Sequence, residues 1–185
     1  IAGLCGFYKG IRVAHVEAGL RSGAIRSPFP EEANRKVLSV VADLHFGPTE
    51  HAKNNLIAEG ASNSSVFVTG NTVIDALFYM RDKTENLSNK TTDVVRRLLG
   101  DARCKVLITG HRRESFGQGF EHICGAIKEL ASTYQDVHFI YPVHLNPNVQ
   151  KPVNELLSEL ENVHLVDPLG YRDFVWLMDY CDIVL

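Results

Sequence analysis

Short runs of β-type apolar residues alternate along the chain with stretches whose apolar residues recur at helical spacing. The strand-like runs are "IRVAHV" (11–16), "DLHFG" (43–47), "VFVTG" (66–70), "KVLITG" (105–110), "VHFIYP" (137–142), "VHLVDP" (163–168) and "DIVL" (182–185). Most are too apolar for a sheet with one wet face, which predicts parallel strands covered by helices on both sides. Phe120, Ile123, Cys124, Ile127 and Leu130 repeat at helical spacing, as do Val149, Val153, Leu156, Leu157 and Leu160, so two helices each bury one face. Strands and helices in alternation predict an α/β fold. The polar, weakly patterned stretch "RDKTENLSNKTTDVVRR" (81–97) reads as the junction between two domains, the first lacking its beginning and the second its end.

Composition narrows the class. A chain of 185 residues with 45% hydrophobic content can bury one good core or two small ones, and nothing in it points to disorder, collagen or a membrane protein. The 19 basic and 22 acidic side chains are scattered, and the net charge of −3 leaves no footprint for nucleic acid or an anionic membrane. Cys5, Cys104, Cys124 and Cys181 form no CxxC pair and sit on apolar stretches, as buried thiols do in a reducing compartment, so the cytoplasm is expected. The chain opens without an initiator Met or a signal-peptide n-region and closes on an apolar run, which reads as an internal fragment of a longer protein.

In open α/β sheets ligands bind beyond the carboxyl ends of the strands, where helix N-termini converge. Glu17 follows "AHV" directly; a carboxylate desolvated at a strand tip suits proton transfer, and pairing with Arg21 as a loop brace is an equal alternative. In "SPFPEEANR" two prolines stiffen the approach to a helix whose first turn would carry Glu31 and Glu32, although acids there are favoured by the helix dipole alone. His111, Arg112 and Arg113, with Ser115 close behind, follow an apolar strand and offer charge-assisted donors to a phosphate or diphosphate. Gly117 and Gly119 complete no GxGxxG, so a nicotinamide cofactor is only weakly supported. His144 sits on another strand tip, where a lone histidine is more often structural. The eight histidines form no HxxxH or HExxH, so no metal is expected, and the lack of GxSxG argues against a serine hydrolase. Tyr171 and Phe174, at the head of a further helix, could stack on a base or pack against a neighbouring helix.

The motifs "HVEAGLRSG", "SPFPEEANR", "FVTGNTVIDAL", "TGHRRESFGQGFE", "YPVHLNPNV" and "DPLGYRDFVWLM" together resemble the bacterial non-hydrolysing UDP-N-acetylglucosamine 2-epimerases, in the family's order and over essentially the whole chain. The resemblance implies two Rossmann-like domains as in the GT-B glycosyltransferases, both incomplete here. Residues 1–88 would be the C-terminal part of the first domain, 89–104 the junction and first helix of the second, and 105–185 the beginning of the UDP-binding domain. It implies a cofactor-free homodimer that interconverts UDP-N-acetylglucosamine and UDP-N-acetylmannosamine, through elimination of UDP to 2-acetamidoglucal and re-addition, for cell-envelope polysaccharides. Glu17 and Glu31 match the family's acid/base carboxylates and His111 its essential histidine near the diphosphate. Arg112, Arg113 and Ser115 fall on the substrate-binding loop, Tyr171 and Phe174 where the uracil is contacted, and Arg112 and His144 where some members bind a second, activating substrate molecule.

Ala24 and Arg26 depart from the family pattern of an amide or acid and an aromatic. The family's Arg-Pro-Glu, Gly-Asp-Thr, Ser-Gly-Gly and Gln-Glu-Glu loops are absent from these 185 residues, so the chain by itself is expected to be inactive. Competing readings are a hydrolysing epimerase, a GT-B glycosyltransferase and a non-catalytic UDP-sugar binding module.

Overall fold

The computed structural model describes residues 1–110 and 118–185, the side chain of Gln118 apart. Their contacts divide the chain into two compact units, Ile1–Ala76 and Leu77–Leu185.

The first unit runs α1 (Ala2–Tyr8), β1 (Ala14–Val16), α2 (Glu31–Val41), β2 (Leu44–Gly47) and α3 (Glu50–Ala58). A 3₁₀ turn (Asn63–Ser65), β3 (Val66–Val68) and the start of α4 (Thr72–Thr84) complete it. Its three strands are parallel in the order β1-β2-β3, with His15 opposite His45 and Val16 opposite Phe46. Expected strand 11–16 is shorter, because Asp43 intervenes: its Oδ2 accepts from Val13 N at 2.7 Å while its own N–H donates to Val13 O. Beyond β1 the ladder continues, Ala18 N donating to Phe46 O at 3.0 Å. Ala18, Leu56 and Val66 form the small core between sheet and α3. On the other face Phe46 and Phe67 stack, ring centroids 5.7 Å apart.

The second unit continues with α5 (Lys90–Leu99), β4 (Cys104–Leu107), α6 (Gln118–Thr133), β5 (Val137–Pro142), α7 (Pro147–Leu157), β6 (Val163–Val166), α8 (Tyr171–Tyr180) and β7 (Ile183–Val184). All four strands are parallel, in the order β6-β5-β4-β7. Alternate strand positions feed two cores, as the period of a strand requires. Val106, Ile108, Phe139 and Tyr141 pack with Phe120, Cys124 and Ile127 of α6 and Val149 and Val153 of α7. Leu107 and Ile140 point the other way, onto Val95 and Leu99 of α5 and Trp176 and Leu177 of α8. A parallel sheet buried on both faces is what the consecutive apolar positions predicted.

The structure adds detail to one local reading and changes another. The polar stretch 81–97 is largely helical: it holds the end of α4 and most of α5, whose start is fixed by a reciprocal cap between Asn89 and Thr92. Cys5 is exposed and Cys104 and Cys181 only partly buried; Cys124 alone of the four thiols is fully enclosed.

Asn162, 4% exposed, ties α6 to β5. Its Nδ2 shares its two hydrogens among Ala131 O at 3.0 Å, Tyr134 O at 3.1 Å and Val137 O at 2.9 Å, and so braces the last turn of α6 against the start of β5. Asn162→Ala strips these acceptors and should cost about 1–3 kcal/mol in urea unfolding. Loss of less than a few tenths would show that the clamp is dispensable.

Candidate active site

In the first unit, β1 and the N-terminus of α2 lie at the same, carboxyl edge of the sheet, because α2 returns the chain to a parallel β2. Glu17 is the first residue past β1 and the only non-glycine among the described residues with positive φ, at 62°. Left-handed backbone is costly for a residue with a Cβ and concentrates at functional sites. Its cause here is packing: Ala18 and Gly19 are buried directly behind it, and Asn55 Nδ2 of α3 donates to Gly19 O at 3.0 Å. Drawing the chain down onto α3 leaves the Glu17 side chain exposed at the edge.

Arg21 does not brace Glu17. Its guanidinium grips Glu59, with Nη2 2.6 Å from Oε2 and Nε 2.9 Å from Oε1, and also donates to Ser39 Oγ at 2.6 Å and Leu20 O at 2.8 Å. These bonds hold the Glu59 carboxyl below the usual carboxylate range.

Pro30 stands at the cap position of α2 and supplies no side-chain acceptor, so the first turn relies on its acids. Glu31 is exposed, whereas Glu32 is entirely buried. The two glutamates are adjacent in sequence, yet a helix turns 100° per residue and sends them to different environments.

Behind β1 and β2, His15 and His45 are cross-strand neighbours, and the Nδ1 of each is buried without a partner. Burial, then Arg21, lowers His45 from the ordinary 6.5; burial, then His45, Arg21 and Arg35, lowers His15. A folded state that prefers neutral histidine is fully favoured above 6.5 and loses stability as pH falls below it, since the unfolded chain then binds more protons. Lowering pH from about 7.5 to about 5 should reduce the unfolding free energy, by up to about 1.4 kcal/mol per pH unit for His45 alone, and the thermal midpoint should fall with it. A His45→Gln variant should show a shallower dependence, and an identical slope would exclude His45 as its source.

In the second unit, His144 is exposed on the loop after β5, and its Nδ1 accepts from Asn146 N at 3.1 Å. The neutral ring therefore carries its proton on Nε2. Asn146 caps α7, accepting from Asn148 N at 2.9 Å, with Pro147 in the first helical turn. Tyr171 opens α8 and is exposed, while Phe174, one turn on, packs against the core of Leu99, Trp176 and Leu177. His111, Arg112, Arg113 and Ser115 lie outside the described residues. Their approach is fixed from below: Tyr141 donates its hydroxyl to Gly110 O, and Thr109 N donates to Leu185 O at 2.8 Å. Burial pushes the Tyr141 hydroxyl up to about 12, so it remains a donor across the neutral range. Sequence reasoning singled out neither Tyr141 nor the Arg21–Glu59 grip, since both join residues 31 or more positions apart.

Among the described residues no cluster of three or more His, Cys, Asp or Glu could hold a metal, and no helix is long and apolar enough to cross a membrane.

Comparison with known proteins covers the entire chain. Residues 1–185 match the family model described as UDP-N-acetylglucosamine 2-epimerase. The chain is 50% identical to the UDP-N-acetylglucosamine 2-epimerase of Salmonella typhimurium, over 98% of its own length and 49% of the relative's. It is 48% identical to the Escherichia coli K12 enzyme of the same name, again over 98% of this chain and 49% of that one. Among solved structures, UDP-GlcNAc 2-epimerase from Neisseria meningitidis bound to UDP-GlcNAc superposes with a TM-score of 0.86 at 45% identity, covering 99% of this chain and 50% of that one. The chain thus spans about half the length of the curated relatives it matches.

Proposed function

The chain belongs to the UDP-N-acetylglucosamine 2-epimerase family, and from that membership we propose that the longer protein it is part of interconverts UDP-N-acetylglucosamine and UDP-N-acetylmannosamine without hydrolysis. The observation that carries this reading is the placement of Glu17 and Glu31, two exposed carboxylates delivered to one edge of one sheet from a strand end and a helix start. A solved relative with UDP-GlcNAc bound supports the substrate class.

In the proposed reaction a carboxylate takes the C2 proton, the C1–O bond breaks, and the electron pair of the C–H bond becomes the C1–C2 double bond of 2-acetamidoglucal. UDP leaves with the electrons of the C1–O bond. Re-addition of UDP at C1, with a proton delivered to the opposite face of C2 by the second carboxylate, completes the inversion. Two proton-transfer groups on opposite faces of one carbon are the minimum this chemistry needs. His111, Arg112, Arg113 and Ser115 supply donors to the diphosphate as it departs. Tyr171 and Phe174 hold the uracil, and His144 with Arg112 binds a second, activating substrate molecule.

The rest of the reading is a cytoplasmic homodimer feeding cell-envelope polysaccharide synthesis. Residues 1–88 form the C-terminal part of the first Rossmann-like domain, and 105–185 begin the UDP-binding domain beyond a junction at 89–104. The 185-residue piece alone gives no turnover.

The test is incubation of the full-length protein with UDP-N-acetylglucosamine in heavy water. Deuterium at C2 of a sugar still joined to UDP is the expected result. Free N-acetylmannosamine would make the enzyme hydrolysing, and no exchange at C2 would leave only a binding module.

A further inference from the structure

Glu32 is the member of the acidic pair to which the proposed reaction gives no part. It is 0% exposed at the second position of α2, beside the exposed Glu31. A first-turn acid that served only the helix dipole would gain nothing by leaving water, because the dipole acts equally on an exposed carboxylate. Burying a carboxylate is costly unless it is well paired. Here the pairing is incomplete: Oε2 accepts from Ser22 N at 3.2 Å and lies 3.7 Å from Arg35 Nη1, while Oε1 is buried without a partner. The fold accepts that cost for what Oε2 holds.

What it holds is the root of the loop between Glu17 and Glu31. Ser22 Oγ donates to Ser27 O and accepts from Ala24 N at 3.3 Å, and Ser27 N donates to Ala24 O at 2.8 Å, so residues 22–27 close on themselves. One residue earlier, Arg21 is fastened to Glu59 beyond the end of α3 and to Ser39 of α2. Ser22 is therefore tied forward to the first turn of α2 by Glu32 and backward, through Arg21, to the body of the unit.

We propose that Glu32 is a positioning residue, whose carboxylate ties the backbone leaving Glu17 to the helix turn that presents Glu31 and so sets the separation of the two. The inference rests on the roles proposed above for Glu17 and Glu31. A base and an acid that must face one sugar carbon tolerate little change in spacing, and displacement of a reacting group by about 1 Å can cost about 10²-fold in rate.

The test is made in the full-length enzyme with UDP-N-acetylglucosamine. Glu32→Ala should lower kcat about 10²-fold while KM changes little, because the loop is released and the nucleotide contacts are not. Glu32→Gln, whose amide oxygen can still accept from Ser22 N–H, should recover most of that loss. If Glu32→Ala does not fold, Glu32→Asp replaces it, keeping the charge but falling one methylene short of Ser22. Normal kcat in Glu32→Ala or Glu32→Asp would overturn the proposal. A Glu32→Gln enzyme as slow as the truncated one would also overturn it, because the charge and not the clasp would then matter. A wild type that shows no exchange at C2 refutes the functional reading itself, whereas an active wild type with an unimpaired Glu32→Ala refutes only this inference.

Discussion

Glu17→Gln in the full-length protein should reduce deuterium incorporation at C2 of UDP-N-acetylglucosamine by about 10²–10⁴-fold, the usual contribution of a positioned proton-transfer group, while UDP binding is retained. The substitution changes little but charge and basicity: Glu17 is exposed, its φ of 62° is set by the backbone behind it, and Gln is as able as Glu to occupy that conformation. Glu31→Gln should behave similarly, with a small additional loss of helix stability because an acid is removed from the first turn of α2. The pair can be told apart by isotope. Whichever carboxylate removes the proton from the N-acetylglucosamine epimer, its Gln variant should block washout from that epimer, and the other variant should block washout from the N-acetylmannosamine epimer. Exchange retained from both epimers in either variant would reassign that residue to a structural role.

The architecture was readable because burial on both faces forces consecutive apolar positions. Val106, Leu107 and Ile108 enter alternate cores, and a run of three apolar residues has no other economical use in a parallel sheet. α6 and α7 were readable for a related reason, since each presents one apolar stripe to one face. α5 carries the same kind of stripe on a more polar helix: its buried residues Thr92, Val95 and Leu99 recur at i, i+3 and i+7, and the Asn89–Thr92 cap marks its start.

The candidate site was readable only where chemistry lies beside a strand end. Glu17 and Glu31 were found through position, one after a strand and one at the start of a proline-led helix. The partner of Arg21 was not, because Glu59 lies 38 residues away and only the fold brings it near. Nor does the string "PEEANR" reveal which glutamate is buried, since that depends on how α2 is rotated against Ser22. The unusual backbone at Glu17 also had no local signature, because it arises from contacts made by the two residues that follow it.

That dependence makes Gly19 the most sensitive position in the loop. Gly19→Ala should destabilise the chain by about 2–5 kcal/mol, combining left-handed strain with a steric overlap. Its φ is +84°, and a Cβ added there would lie 2.1 Å from the carbonyl oxygen of Ala52 and 2.7 Å from its carbon. Neither atom can turn aside, as both belong to the backbone of α3. Relief requires moving the 18–19 segment off the helix by about an ångström, which breaks the Asn55–Gly19 bond and lets Glu17 leave its imposed conformation. Exchange at C2 should therefore fall along with the thermal midpoint, even though residue 19 touches no substrate. Gly23 supplies the control: its φ is +80°, but no atom lies within 4 Å of an added Cβ, so Gly23→Ala meets backbone strain without the clash. It should lose about 1–2 kcal/mol and retain far more exchange activity. Equal losses at the two positions would show that left-handed strain alone, and not the packing of the chain onto α3, governs the loop that carries Glu17.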